Sequence, residues 1–243
     1  MKLKKTLLIA GLIGICLPIY GCKADKTDLD KQITQMKEIK SFDEINYEIN
    51  KTIRFTDIAT EYNELTTTLK VTGNNIYFSS KLNDSKVIEA WLGTSDEQYY
   101  IYYSDHKVKN YELISQDEYT TLANQLKTTF IDIETLHTQI PVKIEQNLLA
   151  CGAEVSTCEI TKSAFKKEVT LTVNPVEETD PETFEITLKN GKLVSMNDTG
   201  IISGTYTSTS YSASYDVKAI KLPDISTYTL TENLSENIIT LLS

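Results

Sequence analysis

Between Ile45 and Leu113 the chain keeps a two-residue hydrophobic period that no helix can satisfy. Ile45, Tyr47, Ile49, Ile53 and Phe55 alternate with Asn46, Glu48, Asn50, Thr52 and Arg54. Leu65, Thr67, Leu69 and Val71 repeat the pattern up to Gly73-Asn74-Asn75, and Ile76, Phe78 and Leu82 share one side of the next segment. Asn83-Asp84 turns the chain into residues 87–92, followed by 99–103, a turn at Ser104-Asp105, and 108–113. Six strands joined by such short turns make an antiparallel meander with one face on a core and one in water.

Two helical stripes interrupt this rhythm. Over 28–40, Leu29, Ile33 and Met36 recur at helical spacing behind Thr27 or Asp28 as cap. Ser115 with Glu118 three residues on forms a capping box, and Leu122, Leu126, Phe130, Ile133 and Leu136 follow on one face until Pro141. The segment 142–150 fits either period and is expected to be a strand. Alternation returns at Val169, Leu171 and Val173, and Phe184, Ile186 and Leu188 run into Asn190-Gly191, the strongest hairpin signal in the chain. Residues 206–222 read as one long Thr/Ser/Tyr-rich strand ending at Pro223, and Leu234, Ile238 and Leu241 hint at a terminal helix. Nothing marks a boundary sharper than the Pro175 to Pro181 segment, so 28–243 is expected to be one domain.

The first residues carry a different message. Lys2, Lys4 and Lys5 precede an apolar run from Leu7 to Ile15, too short to span a bilayer, and then Ile19-Tyr20-Gly21-Cys22. That tetrapeptide resembles the lipobox of bacterial lipoproteins. The resemblance implies a signal peptide over 1–21, diacylglyceryl attachment at Cys22, and a lipidated stalk over 22–27 on the extracytoplasmic face of the cell membrane. The low Gly/Pro, Asn/Lys/Ile-rich composition points to a Gram-positive source, with the anchor in the outer leaflet of the only membrane.

Removing the leader leaves 21 Lys+Arg against 34 Asp+Glu, a formal charge of −13 that repels nucleic acid and anionic headgroups. Attachment to a membrane must then come from the lipid. Cys151 and Cys158, six residues between them, have two readings: a disulfide in an oxidising compartment, or two free thiols. Their spacing is not that of a metal or redox pair. His106 and His137 have no matched ligand spacing, and the Ser104-Asp105-His106 run cannot converge as a catalytic triad. Glu177, Glu178, Asp180 and Glu182 lack the regular spacing of a calcium loop, and no glycine-rich phosphate cradle is present. The expectation is a non-enzyme with no cofactor and no metal.

Tyrosines are the informative residue class. Tyr99, Tyr100, Tyr102, Tyr103 and Tyr111 gather on one hairpin beside Trp91, and Tyr206, Tyr211 and Tyr215 fall on another segment. They pack cross-strand or they expose a surface for an envelope protein. Taken together, a lipidated cysteine, a short helix, a long meander, one central amphipathic helix and a closing run of strands resemble the LolA/LolB-like half-barrel lipoproteins, which include LppX-type carriers. The resemblance implies a mostly β, α+β fold: a curved antiparallel half-barrel sheet covered on its concave face by one long and one short helix. It also implies a cleft for lipid or another apolar or amphiphilic ligand, lined here by Ile49, Ile53, Leu69, Phe78 and Leu92 and closed by Leu126 and Phe130. The alternative is a cavity-free interaction or sensor module working through its tyrosine-rich strands.

Overall fold

The computed structural model describes residues 22–23, 26–56, 62–83, 85–130, 133–163, 165–176, 182–202, 205–235 and 238. The meander appears as expected. Strands β2 (Tyr47–Thr56), β3 (Tyr62–Thr72), β4 (Asn75–Leu82), β5 (Ser85–Ser95), β6 (Gln98–Ser104) and β7 (Lys109–Ile114) pair consecutively and antiparallel. A second group continues the sheet: β8 (Ser156–Ser163), β9 (Glu168–Pro175), β10 (Phe184–Lys189), β11 (Lys192–Ile202) and β12 (Thr205–Ser214). The two groups join where β12 pairs with β2, from Tyr206↔Thr56 to Ser214↔Glu48. Two short edge strands, β1 (Cys22–Lys23) on β8 and β13 (Thr229–Leu230) on β7, complete one curved sheet of 13 strands. All pairs are antiparallel except β13 with β7.

Side-chain parity divides the sheet into an inner and an outer face. Ile49, Leu69, Phe78 and Ala90 lie on one continuous rank across β2, β3, β4 and β5, with Leu92 and Ile101 paired on the next rank of the same face, all at most 1% exposed. Helices α2 (Gln116–Phe130) and α3 (Ile133–Gly152) cover this half through Leu122, Ala123, Leu126 and Ile133. The β9–β11 half has its own core, in which Leu29, Ile33 and Met36 of α1 (Lys26–Glu38) and Ile140 and Ile144 of α3 pack on Leu171, Ile186 and Leu188. Leu136 and Tyr211 touch both clusters and mark the seam between them. Ser115 and Glu118 close the capping box at the start of α2, each backbone N–H donating to the other's side chain.

Two expectations are corrected. Pro141 does not end the helix, and 142–150 is not a strand: α3 runs through the proline to Gly152. Proline removes one backbone donor and crowds the preceding turn, a cost of about 3 kcal/mol. The buried stripe Ile133, His137, Ile140, Pro141 and Ile144 keeps its helical period across the site, and packing against both cores outweighs that cost. The expected long strand over 206–222 stops at Ser214. Beyond it the chain becomes a strap along the outer face: Ile220 N–H donates to Thr72 Oγ1 at 2.9 Å, and Asn75 Nδ2 donates to the Ile220 carbonyl at 3.2 Å. A Cβ on Gly93 would overlap Leu222, so glycine there admits the strap. After a turn of 3-10 helix at Ile225–Thr227, β13 pairs with β7, and Leu234 and Ile238 return to the inner core with helical backbone. Leu241 lies outside the described residues.

Cys151 at the end of α3 is disulfide-bonded to Cys158 in β8, so the first reading of that pair holds. In the chain-entropy account so short a loop contributes roughly 2–3 kcal/mol. It ties the helix end to the second half of the sheet. Among the described residues no helix is long and apolar enough to cross a membrane.

Candidate functional site

A groove of about 420 Å³ opens at the seam, between the end of α1 and the first half of α3. Its walls are Met36, Ile39, Phe42, Pro141 and Val142, and its rim carries Lys37, Lys40, Glu134 and Glu145. The end of α1 turns tightly, with Ile39 N–H on the Met36 carbonyl and Ile45 N–H on the Phe42 carbonyl. Phe42 N–H donates to Glu134 Oε1 at 3.0 Å, and Lys127 Nζ lies 3.7 Å from Asp43, so this loop is tied to both helices. Phe42 is the hub. Its ring meets His137 edge-on at 4.7 Å and Tyr47 edge-on at 6.0 Å, and stacks on Tyr215 at 6.2 Å. On the far side of the Phe42–Glu134 link lies a second hollow of about 380 Å³, lined by Tyr47, Asn124, Lys127, Thr128 and Ile133.

His137 lines the groove at 6% exposure, and neither ring nitrogen meets a hydrogen-bond partner among the described residues. Burial, reinforced by the Lys192 ammonium, pushes its pKa down to about 4. The imidazole is therefore neutral at pH 7, offering one donor and one acceptor to whatever enters. Tyr215, whose hydroxyl is also without a partner among the described residues, is pushed up in pKa by burial and by Tyr47. Lys192 Nζ sits 4.8 Å over its ring. The chemistry on offer is apolar contact plus one or two neutral polar handles.

A pH dependence follows. The unfolded chain binds a proton at His137 below about pH 6.5, while the folded chain holds it neutral down to about 4. The stability His137 contributes is present above 6.5 and is lost as pH falls toward 4, by at most about 3 kcal/mol. His137→Leu should flatten the urea midpoint between pH 7 and 4 relative to wild type and cost nothing at pH 7. An unaltered slope would show that the imidazole is not held neutral.

The other expected site residues are distributed as follows. Ile49, Leu69, Phe78, Leu92 and Leu126 come together in the inner core, each 0% exposed, while Ile53 is half-buried further along β2. The Phe130 side chain, the Cys22 side chain and residues 1–21 lie outside what the structure describes. So do Glu177, Glu178 and Asp180. Among the described residues no three His, Cys, Asp or Glu side chains cluster as metal ligands. Asp105 builds the β6–β7 turn by accepting from Lys107 N–H and Val108 N–H, and these bonds hold its pKa below the usual carboxylate range. His106 is exposed at that turn. The tyrosines of β6 divide between faces: Tyr103 enters the inner core, and Tyr100 and Tyr102 are buried on the outer face, where Tyr228 of the strap packs edge-on against Tyr102 at 5.3 Å. The groove itself is new to the structure, since Phe42 and His137 share no local sequence signal.

No family model matches the chain, and no curated protein matches it. Among solved structures it is similar to a LolA superfamily protein from Nitrosomonas europaea, at 11% identity over 82% of this chain and 97% of that one, with a TM-score of 0.26. It is also similar to a DUF1329 family protein from Desulfovibrio piger, at 11% identity over 82% of this chain and 95% of that one, with a TM-score of 0.24. Overlaps this loose transfer neither ligand nor activity to the chain.

Proposed function

We propose that this chain is a lipid-anchored protein of the extracytoplasmic membrane face that holds an apolar or amphiphilic ligand, lipid first among them, without catalysing a reaction. The observation that carries the reading is His137: a buried imidazole without a hydrogen-bond partner among the described residues, set in an apolar groove at the seam of two cores. An amphiphile would satisfy both features at once, its chain against Met36, Ile39, Phe42 and Val142 and its polar end on the imidazole. In this reading Ile49, Ile53, Leu69, Phe78, Leu92 and Leu126 form the apolar wall behind the seam, reached when the loop at Phe42 lifts. Affinity comes from apolar area removed from water, at about 25 cal/mol per Å².

The test has two arms. The whole chain purified from cells should yield co-purifying lipid on extraction and mass spectrometry, and it should take up a fluorescent fatty acid. Val142, 54% exposed on the groove wall, can be changed without loss of core packing. Val142→Asp should weaken uptake at least tenfold, about 1.4 kcal/mol; undiminished uptake sinks the groove as the site. The anchor is tested separately: Cys22→Ser should release the protein to the medium or leave the precursor uncleaved, and a processed form still held in the membrane refutes lipidation.

A further inference from the structure

The outer face carries a second groove, of about 610 Å³, between the strap at 218–221 and strands β2–β5. Its floor consists of two neighbouring ranks of the sheet. One runs Glu48, Lys70, Tyr77, Trp91 across the four strands, each paired with the next. The other runs Asn50, Thr68, Ser79, Glu89 in the same register. With strands about 4.8 Å apart the floor is about 14 Å long, and the ranks lie about 7 Å from each other.

The chemistry of this floor differs from the rest of the sheet. Tyr77 and Trp91 place their rings 5.2 Å apart and half-buried, an apolar shelf at one end. Tyr77 donates to Glu89 Oε1 at 2.7 Å, and burial keeps its phenol protonated, with a pKa of about 12. Thr68 donates to Asn50 Oδ1 at 2.6 Å within the polar rank, and Lys70 faces Glu48 at 3.8 Å on the aromatic one, so the polar groups of both ranks are ordered in advance of any ligand. The strap wall adds Lys218 and Lys221, both exposed and neither meeting a carboxylate among the described residues. In a chain of formal charge −10, two unneutralised lysines above an aromatic shelf stand out.

We propose that this groove binds a segment of an acidic glycan, with sugar faces on Tyr77 and Trp91, hydroxyls on the Asn50, Thr68 and Ser79 rank, and carboxylates on Lys218 and Lys221. A shelf alone would suit any flat apolar face. The ordered amide and hydroxyls beside it suit a ligand with many hydroxyl groups, and the lysines select an acidic one. The protein's overall negative charge does not prevent this, because at physiological salt charges beyond about 8 Å are largely screened. The lysines of the wall act within that distance.

Trp91 is the only tryptophan of the chain, so its fluorescence reports on this groove directly. Titration of the whole chain with hexagalacturonate should change Trp91 emission saturably, and cellohexaose, with as many rings and no charge, should bind at least tenfold more weakly. The double variant Lys218→Ser with Lys221→Ser alters only exposed side chains and should weaken hexagalacturonate at least tenfold. Trp91→Ala, read by calorimetry, should do the same, with Trp91→Phe restoring part of the loss. Equal binding of the neutral hexasaccharide, an unaffected double variant, or equally tight binding of a single-stranded thymidine dodecamer each overturns the proposal. The fatty-acid uptake of the seam groove should remain unchanged in these variants.

Discussion

Phe42→Ala is expected to lower the free energy of unfolding by about 3–5 kcal/mol, the range for removing a fully packed phenylalanine and leaving a cavity. Phe42 is 3% exposed and touches three rings, Tyr47, His137 and Tyr215, from an irregular loop that cannot easily collapse into the space. The backbone bond from residue 42 to Glu134 can persist in the variant, so the loop stays attached while the partition between the two hollows is lost. Urea unfolding gives the first number. The second is the shift of the midpoint on adding a saturating fatty acid: a ligand that binds only the folded chain stabilises it by an amount set by its affinity. That shift should be larger in Phe42→Ala than in wild type, because the ligand's chain fills the space vacated by the ring. Phe42→Leu, which retains most of the volume, should show a smaller loss and a smaller gain. A midpoint within about 0.5 kcal/mol of wild type would mean that the ring is not the keystone between the two cores.

The division between what was legible and what was not follows the range of the interactions. The meander was legible because tight turns make register a local matter: Gly73 takes a left-handed φ of 56°, and the adjoining pairs bring Leu69 opposite Phe78 without distant information. The capping box at Ser115 is local in the same sense. At Pro141 a local rule overrode a better one. Proline usually ends helices, yet Ile133, Ile140 and Ile144 continue the stripe on both sides of it, and two cores hold that stripe down. His137 lies on the same stripe and could have been read as buried, but its contact with Phe42, 95 residues earlier, could not. The strap fails for another reason. Thr, Ser and Tyr favour strands, and the period does run on past Ser214, but the β12–β2 register reaches Glu48 there and β2 begins only one residue further, at Tyr47. Strand preference without a partner backbone leaves the chain free to cross the sheet. The tyrosine cluster, which the sequence left open between cross-strand packing and an exposed surface, is largely closed on β6 for this reason, since Tyr102 lies beneath the strap's Tyr228.

Gly191→Ala should cost about 2–5 kcal/mol, from two sources that add. Asn190 and Gly191 form the two-residue β10–β11 turn with φ of 51° and 71°. Asparagine tolerates that conformation, whereas alanine in it costs about 1–2 kcal/mol. The second source is contact. A Cβ at 191 would stand 2.5 Å from the Gln35 carbonyl carbon and the Met36 nitrogen, both backbone atoms of α1 that cannot rotate aside. Forcing a methyl group into so close a fit costs a further 1–3 kcal/mol or so. The hairpin tip and the helix are also joined by Gly191 N–H donating to Gln32 Oε1 at 2.8 Å in a buried place, a bond that any lift of α1 would stretch. Asn190→Gly separates the two sources, since it keeps the turn conformation and adds no atoms; it should stay within about 1 kcal/mol of wild type. Because Met36 and Lys37 belong to the displaced turn of α1 and also line the seam groove, Gly191→Ala should change fatty-acid uptake at a temperature where the variant is still folded. Loss of stability with unchanged uptake would mean that the end of α1 can move without moving the groove, and the ligand site would then have to lie along α3 alone.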